Sequence, residues 1–314
     1  MSELWRRLGF LAFALLVYRI GTHIPIPGIN PEQVAALFQQ SQGTILQYFN
    51  LFSGGALERM SIFALSVVPY ISAAIVMQLF SNSLPYLQEL KKDGQAGRNK
   101  ITQYTRYGTV VFALIQSTAL TVTLQTAGLI ESSSIFGAVV AVLSIVTGTV
   151  FLMWLGEQIS ERGIGNGISL IIATSIITGV PRAFGQALEQ QQAGDLNYLI
   201  LIVLGLLTLL VVALVVFVEN AQRKITVNYA QRHQVRGMVQ APSSFLPLKL
   251  NMSGVIPAIF ASTFLLFPAT LSSWFGNIDG LNGLQEFALY LNPGQPLYIL
   301  LFVILIVSFC YIWL

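Results

Sequence analysis

The sequence predicts an all-α fold, a polytopic bundle of transmembrane helices. Three observations predict it: charge is scarce, long uncharged stretches recur, and positive charge lies mostly on one side of them. Of the 314 residues, 54% are hydrophobic and only 9% are charged, and the mean hydropathy is +0.71. An average soluble domain carries about 25% charged residues, so a chain of this composition is expected to be solvated by lipid.

Eight membrane spans are expected from these stretches, because a helix needs about 20 residues to cross the hydrocarbon core. The first span is Leu8–Tyr18, extended at both ends so that Arg19 reaches the interface. The fifth span is the shortest of the others, and Pro181 with Arg182 is expected to mark its end. The second to eighth spans are Met60–Gln88, Tyr107–Ile130, Ser132–Gly156, Gly163–Pro181, Leu196–Val218, Leu250–Ile278 and Phe287–Leu314.

A cleaved signal peptide is the alternative to the first span, because Arg6 and Arg7 precede a short apolar run. The residues that follow this run start with Arg19 and Ile20 and contain no cleavage site of small residues. We therefore interpret the segment as a first membrane span.

Positive charge fixes the expected orientation of the spans. With a cytoplasmic N-terminus, 13 of the 16 Lys and Arg residues lie inside, which is the usual bias of cytoplasmic loops. The three outside are Arg19, Arg59 and Arg182. Those inside are Arg6, Arg7, Lys91, Lys92, Arg98, Lys100, Arg106, Arg162, Arg223, Lys224, Arg232, Arg236 and Lys249.

The segment between the first two spans is too long for a tight turn. Asn30 is a natural N-cap with Pro31 at the first helical position, which predicts a short amphipathic helix to about Gln40. Next comes Ile45–Leu57, an apolar half-span broken at Gly54-Gly55. It can re-enter the membrane where protein or water surrounds it, or it can lie on the outer surface as an interfacial helix, and both placements stay open.

Two inside loops are basic, Pro85–Tyr107 and Glu219–Lys249. The second loop is longer than topology requires, and the alternation in Ile225–Tyr229 predicts a short strand or hairpin. Basic loops on this side are often only topology signals, but a long ordered loop is often functional. A large anionic partner would suit it.

The sequence offers little for catalysis. The two histidines, His23 and His233, lie far apart, and Cys310 is the one cysteine, so we expect no metal, cofactor or disulfide. The glycines of Glu157–Gly167 are not a phosphate loop, because no Lys-Ser/Thr follows them. Asn166-Gly167 is expected to be a turn that starts the fifth span.

Charged groups are missing from the middle of the spans, and only Arg19 lies in one, near its outer end. Ion-coupled transporters hold charged groups there because coupling needs them. A pore or scaffold is therefore favoured over a coupled transporter of small solutes. Neutral polar residues in the spans, such as Ser72, Ser169 and Thr263, are expected to bond between helices.

Six long runs of sequence carry a family resemblance. They are RIGTHIPIPGI at 19–29, FNLFSGGALERMSIFAL at 49–65, PYISAAIVMQL at 69–79, GRNKITQYTRYGT at 97–109, GTVFLMWLGEQISERGIGNGISLII at 148–172 and NMSGVIPAIFASTFLLFPAT at 251–270. On these runs the chain closely resembles the bacterial SecY family, whose members form the central subunit of the protein-conducting translocation channel.

The resemblance implies ten spans in two inverted halves. Residues 1–184 would be the N-terminal half, with spans one to five and a plug half-helix. Residues 185–314 would be part of the C-terminal half, with spans six to eight and the basic cytoplasmic loop at 219–249. We expect the chain to stop within the eighth span, without the last two spans of the family.

The resemblance also implies a pore ring and a plug segment. The pore ring would comprise Val67, Ile71, Ile168, Ile172 and Ile259, with a sixth member in the tenth span of the family. Val67 with Ile71 and Ile168 with Ile172 are spaced to share a helix face. The plug segment would comprise Phe49, Asn50, Leu51, Phe52, Ser53, Gly54, Gly55, Ala56 and Leu57.

Further implied sites concern partners. Gln78, Gln116 and Asn251 are candidate polar contacts across a lateral gate through which signal sequences enter membrane lipid. Implied partners are small subunits of the SecE and SecG type, the SecA ATPase and a ribosome with its nascent chain. A bacterial inner membrane is the expected location, and a thylakoid membrane would suit the same topology. The implied cytoplasmic docking residues are Arg98, Lys100, Arg106, Arg223, Lys224, Arg232 and Arg236.

Overall fold

The computed structural model describes most of the chain. The described residues are 2–30, 33–36, 50, 53–126, 128, 135–192, 194, 197–227, 244–249, 254, 257–265 and 295–313. The chain divides into two compact units. The first comprises Met1–Phe184 and Ile259–Ile306, and the second comprises Gly185–Ala258 and Val307–Leu314.

Helices dominate the described residues, which confirms the all-α membrane fold. Four of them, α4 to α7, are long and apolar enough to cross a membrane. Residues 257–265 are helical as well. The named helices are α1 Ser2–Gly21, α2 Val68–Ser83, α3 Pro85–Lys92, α4 Gln95–Thr126, α5 Ile135–Arg162, α6 Gly167–Gln192, α7 Tyr198–Asn220 and α8 Pro296–Trp313.

The prediction of one helix over Met60–Gln88 was wrong. Residues 60–67 form turns, with positive φ at Met60 (43°) and Ser66 (50°). Their backbone pairs with an earlier segment, since Ile26 N–H donates to the Met60 carbonyl at 2.8 Å and Ile62 N–H donates to the Ile24 carbonyl at 3.0 Å. This pairing satisfies backbone groups that a helix would otherwise satisfy, and the helix α2 begins only at Val68.

The predicted end of the fifth span was also wrong, because α6 continues through Pro181 to Gln192. A proline removes one helical hydrogen bond, but neighbouring polar groups and helices let a long membrane helix tolerate it. The predicted start of this span is confirmed. Asn166 caps the helix, since the backbone N–H groups of Ile168 and Ser169 donate to its side-chain oxygen at 3.1 and 3.3 Å.

The expected hairpin in the long loop is confirmed for the described residues. The strands β1 Gln222–Val227 and β2 Ser244–Lys249 are antiparallel, and Gln222 lies opposite Lys249. The predicted strand end at Tyr229 lies outside the described residues.

Close backbone contacts set the packing of the first unit. A Cβ atom added at Gly148 of α5 would lie 2.0 Å from the Ile62 carbonyl oxygen, and one added at Gly167 would lie 2.0 Å from the Gly156 carbonyl oxygen. These glycines let α5 approach both the turns before α2 and the start of α6.

We expect Gly148→Ala to destabilise the first unit by roughly 1–3 kcal/mol, because the added methyl group must displace the backbone at Ile62. The melting temperature of the purified protein in detergent measures this. Gly9→Ala on α1 is the matched control, because a Cβ there meets nothing within 4 Å. Equal melting temperatures for the two variants would contradict the packing described here.

Candidate functional site

The five residues of the predicted pore ring lie in one apolar cluster of the first unit. Val67, Ile71 and Ile172 are buried in it, and Ile168 and Ile259 pack against it, partly exposed. Val67 precedes α2 and Ile71 lies one turn into it, while Ile168 and Ile172 lie one turn apart on α6. Ile259 comes from the helical residues 257–265. Residues distant in sequence thus meet at one place, although their role as a ring stays a prediction.

The surroundings of this cluster are almost wholly apolar. Tyr18, Phe63 and Phe151 form a column of nearly parallel rings, with centroids 6.1 and 5.9 Å apart. None of the buried members carries a charge. They are Ala14, Tyr18, Ala56, Phe63, Val67, Ile71, Ile75, Leu152, Leu155, Ile159, Ile171 and Ile172. Such a cluster disfavours both water and ions.

The plug segment is described at Asn50 and from Ser53 to Leu57, while Phe49, Leu51 and Phe52 lie outside the described residues. Residues 53–57 form turns and not the half-helix that was expected there. Ser53, Ala56 and Leu57 are buried. Ala56 belongs to the same cluster as the pore ring. The described part of the segment therefore lies within the protein and not on its outer surface.

The C-terminal end of α1 contacts the plug segment through two consecutive residues. The Tyr18 hydroxyl donates to the Ser53 carbonyl at 3.2 Å and is also hydrogen-bonded to the hydroxyl of Ser175. The Arg19 guanidinium donates to the Gly54 carbonyl at 3.4 Å. The sequence did not predict this contact of Arg19, and Tyr18 was not among the predicted site residues. A tyrosine beside an arginine at the end of an apolar span is the sequence feature that could have indicated Tyr18.

The two glycines of the plug segment have left-handed backbone conformations, with φ of 65° at Gly54 and 82° at Gly55. Such values favour glycine. A Cβ atom at Gly54 would also lie 3.1 Å from both the Ser175 Cα and the Thr178 Oγ1. Gly54 is therefore required both for the bend and for the close approach to α6.

An ion pair joins the end of the plug segment to α6. Arg182 donates to the Glu58 carboxylate, whose side chain is only 18% exposed. The same carboxylate accepts from the Asn50 side chain at 3.1 Å, and Glu58 N–H donates to the Asn50 side-chain oxygen at 3.1 Å. Glu58 thus connects Asn50 to Arg182. Asn50 and Glu58, together with residues 53–57, make up what we call the plug turn.

Arg59 lies beside this ion pair. Its guanidinium contacts His23 Nε2 at 2.9 Å, and because an arginine only donates, Nε2 accepts. Burial lowers the pKa of Arg59, and the charges of Arg19 and Arg182 lower it further. All three basic residues expected outside therefore lie near the plug segment, which gives a structural reason for these exceptions to the charge bias.

The role of the predicted lateral-gate residues stays a prediction, although the helices that carry two of them, α2 and α4, pack against each other. Gln78 is half-buried on α2. Gln116 is half-buried on α4, and its side-chain oxygen has no hydrogen-bond partner among the residues that the structure describes. Asn251 lies outside those residues.

The predicted docking residues differ in their surroundings. Arg98 and Lys100 are exposed on α4, while Arg106 donates to Glu157 at 2.8 Å. Arg223 and Lys224 are exposed on β1 of the second unit, and Arg232 and Arg236 lie outside the described residues. The charge of Arg106 is thus already paired within the chain.

Comparisons with known proteins agree with this fold. Residues 61–314 match the family model SecY. The protein translocase subunit SecY of Pseudomonas aeruginosa is 57% identical over 313 residues, which are 100% of this chain and 71% of that protein.

Two solved structures show the same fold. One is described as the structure of a protein conducting channel. It has a TM-score of 0.69 at 17% identity, and the match covers 98% of this chain and 71% of the chain in that structure. In the other, the plug domain of the SecY protein is described as stabilising the closed state of the translocation channel and maintaining a membrane seal. It has a TM-score of 0.61 at 18% identity, and the match covers 87% of this chain and 58% of the chain in that structure.

Proposed function

The chain belongs to the SecY family. We therefore propose that it is a multi-pass membrane protein and the channel-forming subunit of a protein translocase. Unfolded polypeptides cross the membrane through it, and signal sequences and membrane segments leave it sideways into lipid. It is a channel subunit and not an enzyme. The observation that carries this proposal is the convergence of five branched apolar residues beside a buried, glycine-bent plug segment.

The pore ring suits the passage of polypeptide chains. Branched apolar side chains around a narrow aperture exclude water and so block ions. They offer a passing peptide no strong hydrogen-bonding site, so that side chains of many kinds can pass. The plug segment, whose Ala56 lies in the same apolar cluster as Val67 and Ile172, would close the same aperture from outside.

Lateral exit would involve the polar residues Gln78, Gln116 and Asn251. The apolar core of a signal sequence partitions into lipid at about 25 cal/mol per Å² of apolar surface removed from water. Because a ligand shifts an equilibrium only by its difference in affinity, the signal sequence must bind the open gate better than the closed one.

The basic cytoplasmic loops would receive the partners that supply energy. An N-terminus in the cytoplasm of a bacterial cell puts the exposed Arg98, Lys100, Arg223 and Lys224 on that side. A SecA-type ATPase or a ribosome would dock there through acidic or phosphate groups. Small subunits of the SecE and SecG type would complete the channel within the membrane.

Protease protection of a preprotein in vesicles tests this function. We expect vesicles that contain the assembled complex and a SecA-type ATPase to protect the preprotein, and to show no uptake of small solutes. Uptake of a small solute without protection of the preprotein would instead favour a transporter.

Charge reversal of Arg232 and Arg236 to Glu is expected to weaken binding of the ribosome or the ATPase about tenfold or more in low salt, because two attractive charges become repulsive. A co-sedimentation assay with purified partners measures the affinity. The neutral variant with Arg232→Gln and Arg236→Gln should fall between the parent and the reversal. Equal affinity of the parent and the reversal in low salt would contradict docking at this loop.

A further inference from the structure

Three residues in the middle of α6 lie along one side of that helix and face the plug turn. Ser175, Thr178 and Arg182 are spaced by three and four residues, which places them on one face. Ser175 and Thr178 contact the plug turn at Gly54, and Arg182 pairs with Glu58. The plug turn is therefore attached to α6 at two levels about one to two turns apart.

The two attachments differ in chemistry. At the inner one, Gly54 packs against the backbone of Ser175, where there is little room for change. The outer one is a charge-assisted contact, with the Glu58 side chain 18% exposed and the Arg182 side chain 50% exposed. Both side chains keep some access to water, so water can compete for this contact when it breaks and the contact can re-form.

Asn50 makes the outer attachment act on the whole plug turn. Its carbonyl accepts from Gly55 N–H at 2.9 Å and from the Ser53 hydroxyl at 3.0 Å. Its side chain exchanges two hydrogen bonds with Glu58. Release of Glu58 from Arg182 would therefore loosen the turn that the hydrogen bonds of Asn50 hold together.

We propose that Glu58 and Arg182, with Asn50, form a latch that sets how often the plug segment leaves the pore ring. This inference rests on the proposed channel function and assigns its regulation to named residues. Glu58 and Arg182 are positioning residues, since they act through the plug segment and do not line the pore ring. Loss of either partner shifts the plug toward the open state without altering the aperture.

Single-channel recording of the complete, assembled channel tests the latch. Glu58→Gln and Arg182→Gln should each raise the open probability roughly three- to tenfold, as expected for loss of one charge-assisted contact. The conductance of a single opening should stay that of the parent. The double variant Glu58→Arg with Arg182→Glu exchanges the two charges, and it should reverse at least half of the rise in open probability. Glu189→Gln is the matched control, an exposed residue on the same helix, and should behave as the parent.

A variant with Ile71→Gly and Ile168→Gly serves as the reference for a leaking channel. If this variant leaks while Glu58→Gln and Arg182→Gln match the parent, the latch is wrong and the channel stands. Additive opening in the exchanged pair would also overturn the latch, because two coupled partners cannot act independently. If the Ile71→Gly and Ile168→Gly variant does not leak either, the pore-ring assignment fails, and the failure of preprotein protection in vesicles would show that the channel function fails with it.

Discussion

Replacement of Ile71 and Ile168 by glycine in the complete channel is expected to raise the ion leak about tenfold or more. The two residues come from α2 and α6 and pack in the same apolar cluster, so their loss widens the aperture from two sides. A wider and less apolar constriction hydrates more readily and admits ions. Conductance of planar bilayers that contain the assembled channel measures the leak.

The control for this experiment also replaces two isoleucines by glycine, but at exposed, lipid-facing positions. Ile115 on α4 and Ile177 on α6 are 49% and 65% exposed. Ile115→Gly with Ile177→Gly costs similar helix propensity, about 1 kcal/mol per glycine, but leaves the pore ring intact. This variant should conduct as the parent does. Equal conductance of the pore-ring variant and this control would contradict the assignment of the ring.

Gly54→Val is expected to have the second large effect, a channel that is open most of the time. Valine is strained at the φ of 65° that Gly54 adopts, and its Cβ would lie 3.1 Å from the backbone of Ser175. Both effects favour displacement of the plug segment from α6. Open probability in planar bilayers measures this, and we expect it to rise by about tenfold or more.

Gly28→Val is the control that separates backbone strain from the contact of the new side chain with α6. Gly28 has a φ of 83°, so valine is strained there too, but a Cβ at this position meets nothing within 4 Å. This control should lower the melting temperature without opening the channel. If both variants open the channel equally, general destabilisation and not the contact with α6 explains the effect.

Hydropathy, which depends on composition along the chain, predicted eight spans, and four of them are matched by described helices that are long and apolar enough to cross a membrane. The four longest apolar helices, α4 to α7, each contain most of an expected span. The uncharged stretch that begins at Met60 shows the limit of this signal. Residues 60–67 are as apolar as a helix would be, but their backbone pairs with residues 24–26. Hydropathy does not detect a pairing between segments so far apart.

Local rules failed at Pro181 for a related reason. A proline commonly ends a helix in water, where the freed carbonyl is solvated. In an apolar setting, regular helix is favoured on both sides of it because every other backbone group still finds its partner within the helix. The helix therefore continues to Gln192, and Arg182 points its charge to Glu58 from within it.

The candidate site was predictable in part. The pore-ring residues could be named from the family resemblance and from their helical spacing, and the structure places them in one cluster. Tyr18, Glu58 and Arg182 could not be named in this way. Their contacts join residues 35 and 124 positions apart, and each side chain alone looks like an ordinary interfacial residue. Only the folded backbone brings Glu58 near Arg182.

Crosslinking of a stalled polypeptide tests the central claim most directly. A preprotein halted during translocation is exposed to photoreactive probes placed singly at Ile71, Ile168 and Ile259 of the assembled channel. The same probes at the exposed positions Leu143 on α5 and Ile177 on α6 serve as controls. We predict that the stalled chain crosslinks to all three pore-ring positions and to neither control. Crosslinks at Leu143 and Ile177 but none at the pore ring would contradict a polypeptide path through this cluster.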